Sequence, residues 1–383
     1  MGVVGFLVGR FVTVLVIFVA LTVGWLASSE LAVGRLFAVV IPLTKGIMPP
    51  EIVGHGHMVG TPVVPDDATA QPRPIHEVFL SLPGGSDRGM PAVGLGMCCR
   101  PTAYDDVLVR RSVLWYLLLG GRHIDGAHLY LNHAAIGQAI RDAVQRGIPR
   151  EEIFVTTKLW PSHFGYNKTL EMIPRFATEL GLEYIDLVLM HMPSSPSAWF
   201  MPNDCTRAGI DAPTCRQETW KALSEMRAQG IVRHVGVSNF AISHLQDVAA
   251  VPNGAPIANN QIQYSPFVPQ SVHDIVAYCQ AHNITVTAYS PLGGLVDQDR
   301  AAATQALQYI ADAHGVKVQQ VMLRWALQKN LAVIPGTGNP DHMKENLAIY
   351  DFQLTDADMQ AIDGLKFNAE AEKFLHMDIN TWA

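Results

Sequence analysis

The sequence predicts an α/β fold, a (β/α)8 TIM barrel entered through an N-terminal β-hairpin, and three observations predict it. Between residues 92 and 365, eight short and nearly continuous apolar runs alternate with amphipathic stretches, the pattern of a parallel sheet covered on its outside by helices. Polar or ionisable residues then stand at or near the ends of six consecutive runs: Asp125, Lys158, His191, Asn239, Gln261 and Tyr289. Burying such groups singly is costly, whereas a closed barrel collects the C-terminal ends of its strands into one site. Finally, no G-x-G-x-x-G follows any run, which weighs against an open, doubly wound sheet.

The chain opens on an apolar segment. Residues 11–27 are an uncharged run of seventeen, bracketed by Arg10 and Glu30. That is the short limit of the roughly 17–25 residues a membrane-crossing helix needs, and it exceeds the roughly 7–15 of a signal-peptide core. It reads as a hydrophobic helix that anchors the chain to a membrane, with 1–45 as the anchor segment. Arg35 and Lys45 follow it and only Arg10 precedes it, which tilts the domain beyond to the cytoplasmic side. The alternative is a cleaved signal, cut near Ala27, Ser28 and Ser29, and a secreted protein. Residues 46–75, rich in proline and glycine and without periodicity, read as an extended linker. His55 and His57 within it lack further ligands and read as solvated rather than metal-binding.

From residue 76 the pattern becomes regular. Runs at 76–82 and 92–97, set around Gly84, Gly85 and Gly89, predict a hairpin leading into the first barrel strand. Further strands are expected at 122–125, 153–158, 185–191, 231–237, 258–264, 284–289 and 331–334. Helices are expected at 107–119, 134–145, 170–180, 219–229, 271–281, 301–314, 341–348 and 356–365. Gly181 is placed to cap the third of these, and Pro174 inside it should kink or restart it. The barrel domain is therefore 76–370, with 371–383 a C-terminal tail.

Composition narrows the function. With a net charge of -7 the chain offers no basic field, which argues against a nucleic-acid partner. Five cysteines in 383 residues make no disulfide scaffold and show no metal-site spacing, so no metal is expected. Cys205 and Cys215 flank a loop and would pair only in an oxidising compartment, which leaves that pairing open; the adjacent Cys98 and Cys99 read as thiols.

The residues at the strand ends carry a specific chemistry. A lysine at a barrel mouth needs a counter-charge, and Asp125 on the neighbouring strand can supply it. The cation should stabilise the phenolate of Tyr130, five residues beyond Asp125, and lower a pKa that is ordinarily about 10. A phenol so tuned can protonate an oxygen that becomes negative during reaction, while His191 donates a hydrogen bond to that oxygen. The set suits hydride delivery to a carbonyl. The hydride must come from a cofactor, since no side chain supplies one.

Seven stretches resemble the signatures of the aldo-keto reductase family: HIDGAHLYLN at 123–132, TTKLWPS at 156–162, IDLVLMHMP at 185–193, GVSNF at 236–240, NNQIQYSP at 259–266, YSPLGG at 289–294 and IPGTGNPDHMKEN at 334–346. The resemblance implies an NAD(P)H-dependent carbonyl reductase of the alcohol dehydrogenase type, a monomeric barrel with a small-molecule carbonyl substrate. It implies a catalytic tetrad of Asp125, Tyr130, Lys158 and His191, with Tyr130 the proton donor. Ser238, Asn239 and Gln261 would hold the nicotinamide carboxamide and Tyr289 would stack on its ring. Ser290 and Leu292 would line the pyrophosphate path under the 293–297 loop, and Glu345 and Asn346 would meet the adenine. The rival expectation is a non-catalytic, cofactor-binding redox-sensing subunit of a membrane complex.

Departures from the family pattern are as informative. Members that use NADPH usually place a lysine where this chain has Gly336 and an arginine where it has His342, so the grip on the 2′-phosphate should be weakened, with NADH a possible swing cofactor. Thr337 and Asn339 remain to bond a ribose hydroxyl. In the substrate pocket the family's aromatic after the first strand is replaced around Met97 and Cys98, and its tryptophan after the strand-4 histidine is Met192, while Trp160 is kept. A roomier, softer pocket is expected. The long 194–216 loop, with Trp199, Phe200 and Met201, reads as a substrate lid or a surface insertion, and the tail with Trp382 as a second cover or a frayed end.

Overall fold

In the computed structural model, eight short strands pair in parallel in strict chain order. They are β3 (Gly94–Gly96), β4 (His123–Asp125), β5 (Phe154–Leu159), β6 (Ile185–Met190), β7 (Val232–Ser238), β8 (Asn259–Gln263), β9 (Thr285–Tyr289) and β10 (Ala332–Val333). The structure describes residues 78–84, 88–193, 203–293 and 301–365. A parallel bridge between Val93 and Val333 joins the first strand to the last, and the Val333 amide donates to the Ala92 carbonyl at 2.8 Å. The sheet therefore closes into a barrel and has no free edge. At this seam β3 is glycine-rich for a reason: a Cβ on Gly96 would stand 2.6 Å from the carbonyl oxygen of Ile334, so a side chain there would push the closing backbones apart.

Every residue of β5 and β6 is buried, as strands covered on both faces require. The covering helices follow in order: α1 (Asp106–Leu118), α2 (His133–Gln145), α3 (Tyr166–Leu180), α4 (Asp204–Arg207), α5 (Ala212–Ala228), α6 (Ile242–Ala249), α7 (Gln270–Ala281), α8 (Ala301–His314), α9 (Val318–Gln328), α10 (Pro340–Leu347) and α11 (Asp356–Asp363). Trp220 on α5, Trp325 on α9 and Tyr116 on α1 fill the layer between barrel and helices, each essentially fully buried. Gly181 caps α3 in the left-handed conformation at φ 64°, as expected from its type and place.

The structure departs from the sequence reading in several places. Helix α3 runs unbroken through Pro174, because Ile173, Phe176 and Ala177 bury its inner face and tertiary packing outweighs one lost backbone hydrogen bond. Helices α6 and α9 were not expected. The α6 helix has only eight residues and no side-chain cap. In α9, burial from Val318 to Leu327 is spread around the helix, so no polar stripe betrays it. The hairpin pairs β1 (Phe79–Leu80) with β2 (Met90–Pro91), so the run at 92–97 belongs to the barrel alone. The structure also joins Cys205 to Cys215, and it bonds Cys98 to Cys99, against the reading of that pair as thiols.

The expectation of a membrane-anchored chain with its catalytic domain on the cytoplasmic side is corrected. Among the described residues no helix is long and apolar enough to cross a membrane, and the run at 11–27 on which the anchor rested lies outside the described residues, as do the linker at 46–75, the aromatic part of the 194–216 loop, the 294–297 loop and the tail with Trp382.

Candidate active site

The C-terminal ends of β4, β5 and β6 set three of the four expected catalytic side chains side by side. Asp125 is the last residue of β4, Lys158 lies in β5, and both are almost fully buried. The Lys158 ammonium donates to Oδ1 of Asp125, to the Gly126 carbonyl at 2.8 Å and to the Tyr130 hydroxyl at 3.4 Å. Tyr130 is delivered by a single 3-10 turn, His128–Tyr130, which Leu131 ends in the left-handed conformation at φ 57°. His191 follows β6, with its amide donating to the Leu159 carbonyl at 2.9 Å. Its ring meets Tyr130 edge to face at 5.7 Å and Trp160 at 5.1 Å. The four expected residues form one cluster.

Electrostatics correct one expectation. The Tyr130 hydroxyl is pushed well above its ordinary pKa, first by burial and then by the charge of Asp125; Lys158 does not make it acidic at rest. Burial of the phenol is the largest cause, and Lys158, bonded directly to Asp125, does not offset it. Burial also lowers the Lys158 pKa against the opposing pull of Asp125. His191 is held well below the usual histidine value by burial and by Lys158. The resting site is thus a protonated phenol beside a neutral imidazole, over an ammonium–carboxylate pair. Both the phenol and the imidazole can donate a hydrogen bond to an oxygen placed between them.

A second cluster continues the rim. Asn239, at φ 62°, donates from Nδ2 to the His191 carbonyl at 3.0 Å and to Ser238 Oγ at 3.1 Å, and accepts at Oδ1 from the Tyr289 hydroxyl at 2.8 Å. Ser238 Oγ donates to the Gln261 carbonyl at 2.8 Å, and Gln261 Nε2 donates to Asp125 Oδ2 at 2.6 Å. This last bond crosses the barrel and was not expected; the sequence showed two polar strand ends but not that they meet. Ser290 sits at φ 48° just past β9, with Leu292 packed partly against the core.

The remaining residues lie beyond β10. Asn339 caps α10 by accepting from the Asp341 amide at 2.9 Å, and Thr337 Oγ1 accepts from the Asn339 amide at 3.0 Å. His342 is exposed, with Nδ1 3.5 Å from Thr337 Oγ1. Glu345 is ion-paired to Lys317, and Asn346 is half-buried. Of the expected substrate contacts, Trp160 reaches His191, Cys98 is half-exposed, and Met192 is buried.

The donor set fits a nicotinamide dinucleotide. His191 Nδ1 is buried without a hydrogen-bond partner, and Ser238, Asn239 and Gln261 add neutral polar groups beside it. Among the described residues no group of three or more metal-binding side chains occurs.

Comparison with known proteins decides the family. The pattern of the Aldo/keto reductase family matches residues 92–366. The chain belongs to the aldo/keto reductase family. This aldo/keto reductase is 37% identical over 276 residues to the 9,11-endoperoxide prostaglandin H2 reductase of Trypanosoma cruzi, covering 72% of this chain and 88% of that protein. It is 35% identical over 296 residues to the aldo-keto reductase family 1 member A1 of Bos taurus, covering 73% and 87%. The structure of the Bombyx mori aldo-keto reductase in complex with NADP superposes with a TM-score of 0.67 at 30% identity, over 78% of this chain and 98% of that one. Family membership and reductase-named relatives make the chain an NAD(P)H-dependent oxidoreductase, and they give no support to the rival reading of a non-catalytic redox-sensing subunit.

Proposed function

We propose that this aldo/keto reductase reduces the carbonyl group of an aldehyde or ketone to an alcohol, with Tyr130 as the proton donor. The observation that carries the reading is the Tyr130 hydroxyl 3.4 Å from the Lys158 ammonium, with the His191 ring against it. A bound NADPH or NADH supplies the hydride. As the carbonyl carbon gains hydride its oxygen becomes an alkoxide, a far stronger base than phenolate, and the Tyr130 proton passes to it. A resting phenol held firmly protonated is the correct state for a donor. Lys158 acts later, stabilising the phenolate left behind at hydrogen-bond distance. Asp125 keeps Lys158 charged within a buried site, and neutral His191 positions the carbonyl oxygen as a donor.

The cofactor is read onto the second cluster and the residues beyond β10. Ser238, Asn239 and Gln261 hold the carboxamide; Gln261 keeps its Oε1 for this while its Nε2 remains on Asp125. Tyr289, fixed through its hydroxyl to Asn239, offers its ring as a stacking face. Ser290 and Leu292 line the pyrophosphate path, Thr337, Asn339 and His342 face the adenosine ribose, and Glu345 and Asn346 the adenine. Cys98, Trp160 and Met192 line the substrate side. Gly336 and His342 leave the usual 2′-phosphate grip weak.

The test is carbonyl reduction by the purified chain with NADPH or NADH and an aromatic aldehyde, followed by nicotinamide absorbance. Tyr130→Phe should lower kcat by about 10²–10⁴-fold while dinucleotide affinity is retained. Equal turnover in the variant and the unmodified protein would sink the reading.

A further inference from the structure

The loop that follows β10 lacks a cation at Gly336, and the structure shows what fills the space. A Cβ built on Gly336 would stand 2.7 Å from Nη1 of Arg100, and one on Gly338 would stand 3.1 Å from Oγ1 of Thr102. The segment after β3 therefore lies flush against the two glycines, and the Arg100 guanidinium occupies the volume that a side chain at 336 would need. Two sequence-distant loops meet here only because β3 and β10 are neighbours at the barrel seam.

The Arg100 guanidinium is held in place but not neutralised. Nη1 donates to the Gly96 carbonyl, Nε to Thr102 Oγ1 at 3.0 Å, and Nη2 to the sulfur of Met97 at 3.4 Å. Its partners are a carbonyl, a hydroxyl and a thioether; among the described residues no carboxylate pairs with it. Two of its five N–H groups remain to be satisfied, one on each terminal nitrogen. Burial lowers its pKa to about 10, so it stays charged at neutral pH. A half-buried guanidinium with N–H donors to spare, and with no counter-ion among the described residues, suits an oxyanion such as a phosphate. The place is also apt, since barrels of this kind often seat a phosphate among the loops after the last two strands and a short helix that follows, here α10.

We infer that Arg100 supplies the cation for the adenosine 2′-phosphate of NADPH that positions 336 and 342 do not provide. The assignment rests on the reductase reading above and deepens it: the chain discriminates NADPH from NADH through a residue on the opposite side of the seam. Gly336 is then the small residue that makes room for the guanidinium.

Fluorescence titration of the full chain with NADPH and with NADH tests this without turnover. Arg100→Met should weaken NADPH by about tenfold or more, the loss of a charge-assisted pair, and leave NADH affinity unchanged. That unchanged value also reports that the variant is folded. Arg100→Lys should keep part of the preference. Adding Gly336→Lys to Arg100→Met, where the guanidinium no longer blocks a side chain, should restore NADPH binding. An unaltered ratio of NADPH to NADH affinity in Arg100→Met, or an equal loss of both, would overturn the assignment while leaving the reductase reading intact. Binding of neither dinucleotide by the unmodified chain would overturn both.

Discussion

Gln261 Nε2 donates a 2.6 Å hydrogen bond to Oδ2 of Asp125, from β8 across the barrel to β4. With Lys158 on Oδ1, the buried carboxylate is held at both oxygens. Gln261→Met removes the donor without a large volume change and leaves one carboxylate oxygen unsatisfied. A loss of about 1–3 kcal/mol is expected, measured by urea unfolding. No change would mean that the carboxylate takes another donor once Gln261 is gone.

Asp125→Asn exposes the other half of the network. The Lys158 ammonium is then buried without its counter-charge, which should cost about 3–5 kcal/mol near neutral pH. Burial already depresses the Lys158 pKa, so the variant's deficit should shrink as pH rises and the lysine sheds its proton in the folded state. Unfolding free energies at neutral and alkaline pH check the trend. A deficit that is constant with pH would show that the buried charge is not its cause.

Acid stability is expected to turn on His123, two residues before Asp125 on β4. Its ring is fully enclosed between the Pro91 carbonyl at 3.2 Å and Thr156 Oγ1 at 3.0 Å. Burial lowers its pKa to about 4. The folded state therefore resists a proton that the unfolded chain accepts below about 6.5. Stability is fully present above that value and is lost progressively as pH falls toward 4, by an amount on the order of 3 kcal/mol. His123→Gln, which retains a donor and an acceptor, should flatten this limb of the pH–stability curve. A curve as steep as that of the unmodified protein would point to other groups.

Thiol counting tests the cysteine pairing. With Cys98 bonded to Cys99 and Cys205 to Cys215, one free thiol of five remains, Cys279. That thiol is buried, and its pKa is raised to about 11, so the native protein should react slowly with a thiol reagent. Unfolded without reductant, the chain should titrate one thiol. Three would show that one of the two bonds is open, and five that neither forms.

How much was legible in advance follows from range. Asp125, Tyr130, Lys158 and His191 could be read because each stands at a predictable place relative to its own strand, and strand order alone makes their strands neighbours. The unbroken α3 could not be read, because Pro174 carries a local penalty and the burial of Ile173 and Phe176 that outweighs it is tertiary. The same holds for α9, whose burial on all sides hides its period. The pKa of Tyr130 was misjudged in sign because the pairing of Lys158 with Asp125 could be read from the strand ends, whereas the full burial of the phenol, the largest cause of its raised pKa, is set by tertiary packing.

By itself the sequence determined the closed alternation of strands and helices, the family, and which polar residues stand at the strand ends, since these depend on hydrophobic period and on residue type along the chain. Only the tertiary structure decided that Gln261 braces Asp125, that Tyr130 rests as a firmly protonated phenol, and that Arg100 fills the space beside Gly336. Each of these is a contact between segments far apart in sequence, set by barrel closure and by the low polarity of the interior, and neither can be read from a string of residues.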